Sequence, residues 1–436
     1  MKTVYTPVDK KIRFDAAAQP SGGFPSDEPD WNVSGGTDER ETTIDKALCY
    51  VKFKKPGTYT VKAHCGDDDD GEEMEVVVVK VDVAKIAFNY NPTAHNNDAL
   101  NIRKNNSTAI SVPEYVKGGQ NEPAAYIKDK SVSLLVQLEV EPESINSLDI
   151  KASSGGGESL GDLDEKTVNF SNGVSNEGSD DPYTSTPMDE SKFAEFTVNG
   201  TTPDKVFNSE EKWIWKLTEI TCNGNTITVD PLEVEVTSGH KVYTVFGEPE
   251  RPWSTAPGGG SNPWTGNQDN PWSEVLVYAC NWAEGTSDEA AAITPITENA
   301  YSNFGKEYKG RYTYTSHGDC DLTALLADDW ADCRDMSAVV QLFTQILGGS
   351  TVKVKRVWDI NTKPILRIGK SSWNTYPWTF HQFGWYSGKV YDACVKLNKS
   401  DPYIPCGKQL NGKYKNDIYQ SGAWNEQSSH SITSFE

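Results

Sequence analysis

The chain predicts a multidomain protein in which two all-β sandwich domains precede an α+β domain, and three observations predict it. Through the first half, short runs of alternating apolar residues are separated by Gly, Pro, Asn and Asp, the pattern of strands and turns. Near residue 250 a stretch rich in Pro, Trp and Gly interrupts that texture. Beyond it, apolar residues recur at helical spacing. At 436 residues the chain also exceeds what a single hydrophobic core holds, so division into domains follows.

Residues 1–82 supply the first sandwich, through Tyr50-Val51-Lys52-Phe53, Thr58 to Ala63 and Glu75 to Val81. The turn residues Lys55-Pro56-Gly57 predict a hairpin across which Cys49 and Cys65 would meet. The run Pro56-Gly57-Thr58-Tyr59-Thr60-Val61 resembles bacterial immunoglobulin-like and polycystic-kidney-type (PKD-like) β-sandwich modules. The acidic run Asp67 to Glu73 lacks the spacing of a calcium-binding loop and reads as a solvated turn.

Residues 83–247 predict the second sandwich, with strands at Ser131 to Val140, Ala194 to Val198 and Trp213 to Leu217, and a hairpin turn at Asn223-Gly224-Asn225. The stretch 153–190, rich in Gly, Ser, Asp and Asn, reads as an exposed loop. His64, His95 and His240 stand apart from other titratable motifs, so exposed or core-satisfied roles are expected of them. Residues 248–273 read as a linker carrying Pro252-Trp253, Pro263-Trp264 and Pro271-Trp272. Indoles seldom float in water, so these are expected to dock on the following domain; a sugar-stacking platform is the alternative.

Residues 274–436 predict the α+β domain and hold the chemistry. Cys333 opens a segment in which Met336, Val339, Val340, Phe343, Ile346 and Leu347 fall three and four apart until Gly348-Gly349, an amphipathic helix with a glycine stop. Cys333 therefore sits in a first turn, where unpaired N–H groups and the macrodipole favour thiolate. Further on, β-branched and aromatic residues flank Ser387-Gly388, which predicts a two-residue hairpin with Trp385 opposite Val390, Phe383 opposite Asp392 and His381 opposite Cys394. His381 and Asp392 then lie diagonally on one face, about 7 to 8 Å apart at the backbone, which their side chains can close.

Cys333-Arg334-Asp335 leading into that helix, followed by strands carrying a His and then an Asp, resembles the transglutaminase-like superfamily over roughly residues 268–436. The resemblance implies a papain-like core with Cys333 as nucleophile, His381 as general base and Asp392 as the group that fixes the imidazole. It departs at Phe383, where the family usually has Trp, and in its short His-to-Asp spacing. The Cys333 backbone N–H is one oxyanion donor, and an indole of Trp282 or Trp330 would supply a second. Asp335 is a support candidate, expected to act as a helix-start charge or hydrogen-bond acceptor. No metal or cofactor is required; a zinc set of Cys333, His381, Asp392 and Cys394 lacks the usual ligand spacing.

The eight cysteines suggest, by proximity alone, pairs Cys49–Cys65, Cys394–Cys406 and Cys280–Cys320, which would place the chain in an oxidising compartment. A net charge of -22 argues against nucleic acid and anionic membranes as partners. No run is long enough for a membrane helix, and the N-terminus shows no apolar signal core; the texture is that of extracellular, cell-surface, periplasmic or virion modules. The expected activity is thiol-dependent acyl transfer on peptide or glutamine-type amide bonds, by hydrolysis or crosslinking, with a protein or peptide substrate and β domains that attach to a surface or polymer. The alternative is a non-catalytic surface or virion protein, structural or adhesive, with a degenerate papain-like module.

Overall fold

The computed structural model describes residues 2–16, 29–64, 71–91, 99–155, 160–176, 189–222, 225–233, 239–258, 264, 266–310 and 312–436. Cys65, the run Asp67 to Asp70, His95, Asn223-Gly224, Gly259, Gly260 and Pro263 lie outside them.

The N-terminal part is a β-sandwich. One sheet contains strands Lys2–Pro7, Asp30–Val33, Gly57–His64 and Glu72–Ala87; the other orders Lys11–Asp15, Leu48–Phe53 and Arg40–Asp45. Phe14, Cys49, Val51 and Phe53 from the second sheet meet Tyr59, Val61, Val76 and Val78 from the first, the inward half of each alternation. Leu48–Phe53 and Gly57–His64 therefore belong to opposite sheets. The expected hairpin is instead an arch, and the Lys54 to Pro56 segment crosses between layers.

The strand Glu72–Ala87 runs through residue 82 and pairs with Gly57–His64 and then with Ser133–Glu141. The first and second β regions thus share one strand. In the second region a large sheet carries Ser133–Glu141, Ile145–Ser154, Leu163–Ser171, Trp213–Cys222 and Asn225–Glu233, over a core containing Trp213, Trp215, Phe196 and Tyr126. Leu163–Ser171 lies within the stretch expected to be a loop. Its outward positions are Glu165, Thr167 and Asn169 with only Leu163 and Val168 buried, so polar composition masked a half-buried alternation.

A small sheet, ordered Phe207–Glu211, His240–Val245, Ala124–Ile127, joins this region to the next. Its faces serve two cores: Ala124, Tyr126 and Val242 point into the β core, whereas Ala125, Tyr243 and Val245 pack with the C-terminal domain. The strand period of two makes one sheet a shared wall.

The C-terminal domain packs helices α1 (Ser273–Trp282), α2 (Glu289–Asn303), α3 (Leu322–Ala327) and α4 (Cys333–Ile346) with an antiparallel sheet ordered Cys406–Gln409, Lys389–Tyr391, Pro377–Tyr386, Lys353–Thr362, Tyr419–Glu426. Helix α4 lies at the centre, and every residue of it except Arg334 is buried. Its polar residues are satisfied within the core: Gln341 donates to the Ile432 carbonyl and accepts from the Ile432 N–H. Gly348 ends it with φ of 107°, and a Cβ there would come within 2.5 Å of Gly247, so only glycine fits the turn and the close approach. Trp253 and Trp272 are buried against this domain, with Phe435 4.1 Å and 5.2 Å from their rings and the Trp253 indole N–H on the Leu342 carbonyl. Their faces serve packing and leave no sugar platform there.

Candidate functional site

The site begins at the capping of α4. Asp332 accepts from the Arg334 N–H at 2.7 Å and from the Asp335 N–H at 3.4 Å, and Asp335 accepts from the Asp332 N–H at 2.9 Å, the last two forming a reciprocal box that fixes the helix start. Asp335 also accepts from Tyr314 N and Thr313 Oγ1. Its carboxyl is pushed up to about 6, first by burial and then by Asp332. Asp335 is thus a buried strut of the loop before Cys333, as its place in the motif suggests. The Arg334 guanidinium grips the Asp332 carboxylate through Nε at 3.0 Å and Nη2 at 2.8 Å.

Cys333, held by this turn, is only 4 % exposed. Burial pushes its thiol well above the ordinary range, Asp332 and Asp392 add to the push, and the backbone N–H of Gln382 and the charge of Arg334 oppose it. The expected thiolate preference of a helix start is reversed, because removing a sulfur anion from water costs more than the partial charges of the first turn return.

The hairpin forms in the expected register. Trp385 pairs with Val390 and Gly384 with Tyr391, and Ser387 and Gly388 have φ of 49° and 77°, the left-handed pair that a type I′ turn needs. The ladder ends at Gly384, so neither the expected pair of Phe383 with Asp392 nor that of His381 with Cys394 forms, and the Asp392 N–H donates instead to the Pro405 carbonyl. Beyond that end Asp392 receives the His381 ring: Nε2 lies 2.7 Å from Asp392 Oδ2. Tyr414 donates its hydroxyl to the same oxygen at 2.8 Å, and the Cys394 N–H donates to Oδ1 at 3.0 Å. The contact assigns His381 the tautomer in which Nε2–H donates to the Asp392 oxygen. Nδ1 is buried and has no hydrogen-bond partner among the described residues, which leaves it as an open acceptor in that tautomer. Trp378 stacks on the imidazole at 4.1 Å and 16°, so the ring is held by its plane and by its edge.

Gln382, next to the histidine, ties this strand to α4. Its amide donates to Ser337 Oγ at 2.6 Å, and Arg356 donates to its Oε1. Ser337 lies one turn after the cysteine, which brings the thiol to the backbone of Gln382. Helix α4 covers the strand face that holds Gln382 and Gly384, where a Cβ on Gly384 would meet Val340 at 2.8 Å. Trp378, Gln382 and Tyr414 are site residues that sequence reasoning missed. Trp378 and Gln382 flank the histidine in a strand whose aromatic and amide residues carry no spacing signal, and Tyr414 arrives from a segment twenty-two residues past Asp392.

The two indoles proposed for the oxyanion differ in their surroundings. Trp282 stacks on Phe343 at 5.5 Å, ten residues along α4 from Cys333 and so about 15 Å away by helix rise. Trp330 lies under Lys309 Nζ at 3.9 Å, its Nε1 has no hydrogen-bond partner of good geometry, and its N–H acts on the Tyr314 hydroxyl. Two of the three expected cysteine pairings do not form. Cys49, Cys222, Cys280, Cys320, Cys333, Cys394 and Cys406 are free thiols, which removes the Cys280–Cys320 and Cys394–Cys406 bridges and the argument for an oxidising compartment built on them. Proximity along the chain misled because Cys280 contacts the Thr244 carbonyl and Cys320 the Thr315 hydroxyl, in different parts of the core. No group of three His, Cys, Asp or Glu able to hold a metal ion occurs among the described residues.

No family model matches the chain. No curated protein matches it. Solved structures similar to it include the D0-D1 domain of intimin, 12 % identical over 55 % of this chain and 95 % of that one with a TM-score of 0.17. A chimeric titin Z1Z2-Z1Z2 tandem is 9 % identical over 56 % and 95 %, at 0.16; domains 4-9 of the surface layer protein SbsC are 13 % identical over 57 % and 31 %, at 0.15.

Proposed function

We propose that the C-terminal domain is a thiol-dependent acyl-transfer enzyme of transglutaminase-like type, acting on peptide or glutamine-type amides. One observation carries it: a buried imidazole has one nitrogen committed to a carboxylate and the other unpartnered, in a strand whose next residue touches a helix-start thiol. His381 takes the Cys333 proton as sulfur attacks the carbonyl, a thioester forms, and the imidazolium returns the proton to the leaving amine. Water or a second amine then releases the acyl group. Asp392 holds the tautomer and balances the transient imidazolium, and Tyr414 and the Cys394 N–H hold Asp392. The elevated thiol pKa makes this a general-base mechanism with a neutral resting thiol.

The β modules, which the Pro56 to Val61 run likens to immunoglobulin-like domains, would attach the enzyme to an extracellular, cell-surface or virion polymer. Among the described residues no helix is long and apolar enough to cross a membrane. A second reading is favoured by the burial of the thiol: a non-catalytic surface or virion protein, structural or adhesive, whose papain-like module is degenerate.

Acylation separates the two. Incubation with p-nitrophenyl acetate followed by peptide mass spectrometry should find an acetyl group on Cys333, absent in His381→Ala and discharged by added amine or by water. Acetylation confined to surface lysines, with Cys333 unmodified, supports the structural protein.

A further inference from the structure

Beside the Cys333 site stands a cation with no counter-ion among the described residues. Arg367, opposite Val395 in a short strand pair, has its guanidinium carbon 4.1 Å from the Tyr308 ring centroid and 3.6 Å from that of Tyr376. Among the described residues no carboxylate pairs with it, and its Nε is buried without a hydrogen-bond partner. In a chain of net charge -22 acids abound, so leaving this group unpaired is a specific arrangement that costs desolvation.

Its surroundings tie it to the proposed chemistry. The Arg367 charge acts on Cys394 and on the Tyr308 hydroxyl, which in turn feels Cys333. On its other side Tyr376 stacks on Trp378 at 13°, and Trp378 stacks on His381. A continuous series of flat groups thus leads from the guanidinium to the imidazole. With two rings packed on the guanidinium, its Nη groups are left without a partner among the described residues, and that terminal fork fits a planar carboxylate.

We propose that Tyr308, Arg367 and Tyr376 form an anion subsite that takes a carboxylate of the substrate, so that the preferred acyl donor is an acidic peptide with its charged side chain near the attacked carbonyl. This rests on Cys333 being the acyl-accepting thiol. Iodoacetate and iodoacetamide test it, because both transfer the same carbon to sulfur with loss of iodide and only the first is an anion. In the full chain the ratio of iodoacetate to iodoacetamide rates at Cys333, read by peptide mass spectrometry, should fall about tenfold in Arg367→Gln, the scale of one charged hydrogen bond. Arg367→Lys, which keeps charge but not the fork, should fall between; an unchanged ratio in Arg367→Gln overturns the subsite. Should Cys333 react with neither reagent, the acyl-transfer reading fails, and binding alone decides. In Cys333→Ala, glutarate should then produce a saturable tryptophan fluorescence change that disappears in the Cys333→Ala, Arg367→Gln double variant. Persistence of that change, or its absence in Cys333→Ala itself, overturns the proposal.

Discussion

Two fully buried histidines differ in what holds their ring nitrogens. His240, in the second β region, lies among the rings of Phe88, Tyr115 and Trp213 at 5.4, 4.7 and 5.8 Å. Neither of its ring nitrogens has a hydrogen-bond partner among the described residues, and burial pushes its pKa down to about 4. His381, in the C-terminal domain, is as deeply buried but carries a carboxylate on one nitrogen and an aromatic plane on its face. An apolar cage makes an imidazole a neutral ring. A carboxylate on one nitrogen fixes the tautomer and leaves the other nitrogen as a hydrogen-bond acceptor.

The largest effect should come from the partner that His240 lacks. Asp392→Ala removes the acceptor for His381, Tyr414 and the Cys394 N–H together, and should destabilise the C-terminal domain by about 4 kcal/mol, measured as the loss in urea midpoint. A change under about 1 kcal/mol would place the two histidines in one class.

Next in size is a pH effect confined to His240. Its folded pKa of about 4 lies below the unfolded 6.5, so the unfolded chain binds the proton first. Stability present above pH 6.5 is therefore lost as pH falls towards 4, by up to about 3 kcal/mol. Glu114, pushed up to about 7 by burial, acts oppositely: its contribution is full below the unfolded pKa and lost as pH rises through 7. Buried Glu211 faces His240 across the strand pair. Both acids remain in His240→Phe, so the stability difference between wild type and variant should isolate the histidine and widen from pH 6.5 to 4. A difference independent of pH would show that His240 is not held neutral.

Tyr414→Phe deletes a single hydrogen bond to Asp392 Oδ2 and should cost about 2 kcal/mol, again by urea unfolding, with the Cys333 alkylation rate falling in step as the imidazole loosens. Stability lost without any change in alkylation would separate Tyr414 from the chemistry. Smallest is the turn: Gly388, at φ of 77°, has open space where a Cβ would go, so Gly388→Ala pays only backbone strain, about 1 kcal/mol. Thermal unfolding reads it; no loss would mean the left-handed turn does not set the register of His381 and Asp392.

The local half of this arrangement was legible in the sequence. Apolar spacing and Gly348 bounded α4, and Ser387-Gly388 fixed a register that put His381 within reach of Asp392. The remainder depends on contacts distant along the chain. No periodicity announces that Tyr414 returns to Asp392, or that Arg356 and Ser337 clamp Gln382. The helix-start argument for a thiolate at Cys333 was sound locally and was overridden by burial, which only packing decides. The same holds for Lys55-Pro56-Gly57: turn chemistry reports that the chain bends, not whether its flanking strands return to one sheet or cross to another.

The central claim is that His381 serves as base to Cys333. The direct measurement is the second-order rate of iodoacetamide alkylation at Cys333 near pH 6, in wild type against His381→Ala, with His240→Phe as the matched control. If His381 is the base, the rate falls about a hundredfold in His381→Ala, the low end of general-base contributions, and stays unchanged in His240→Phe. Equal rates in wild type and His381→Ala would contradict it and leave the C-terminal domain a packed scaffold.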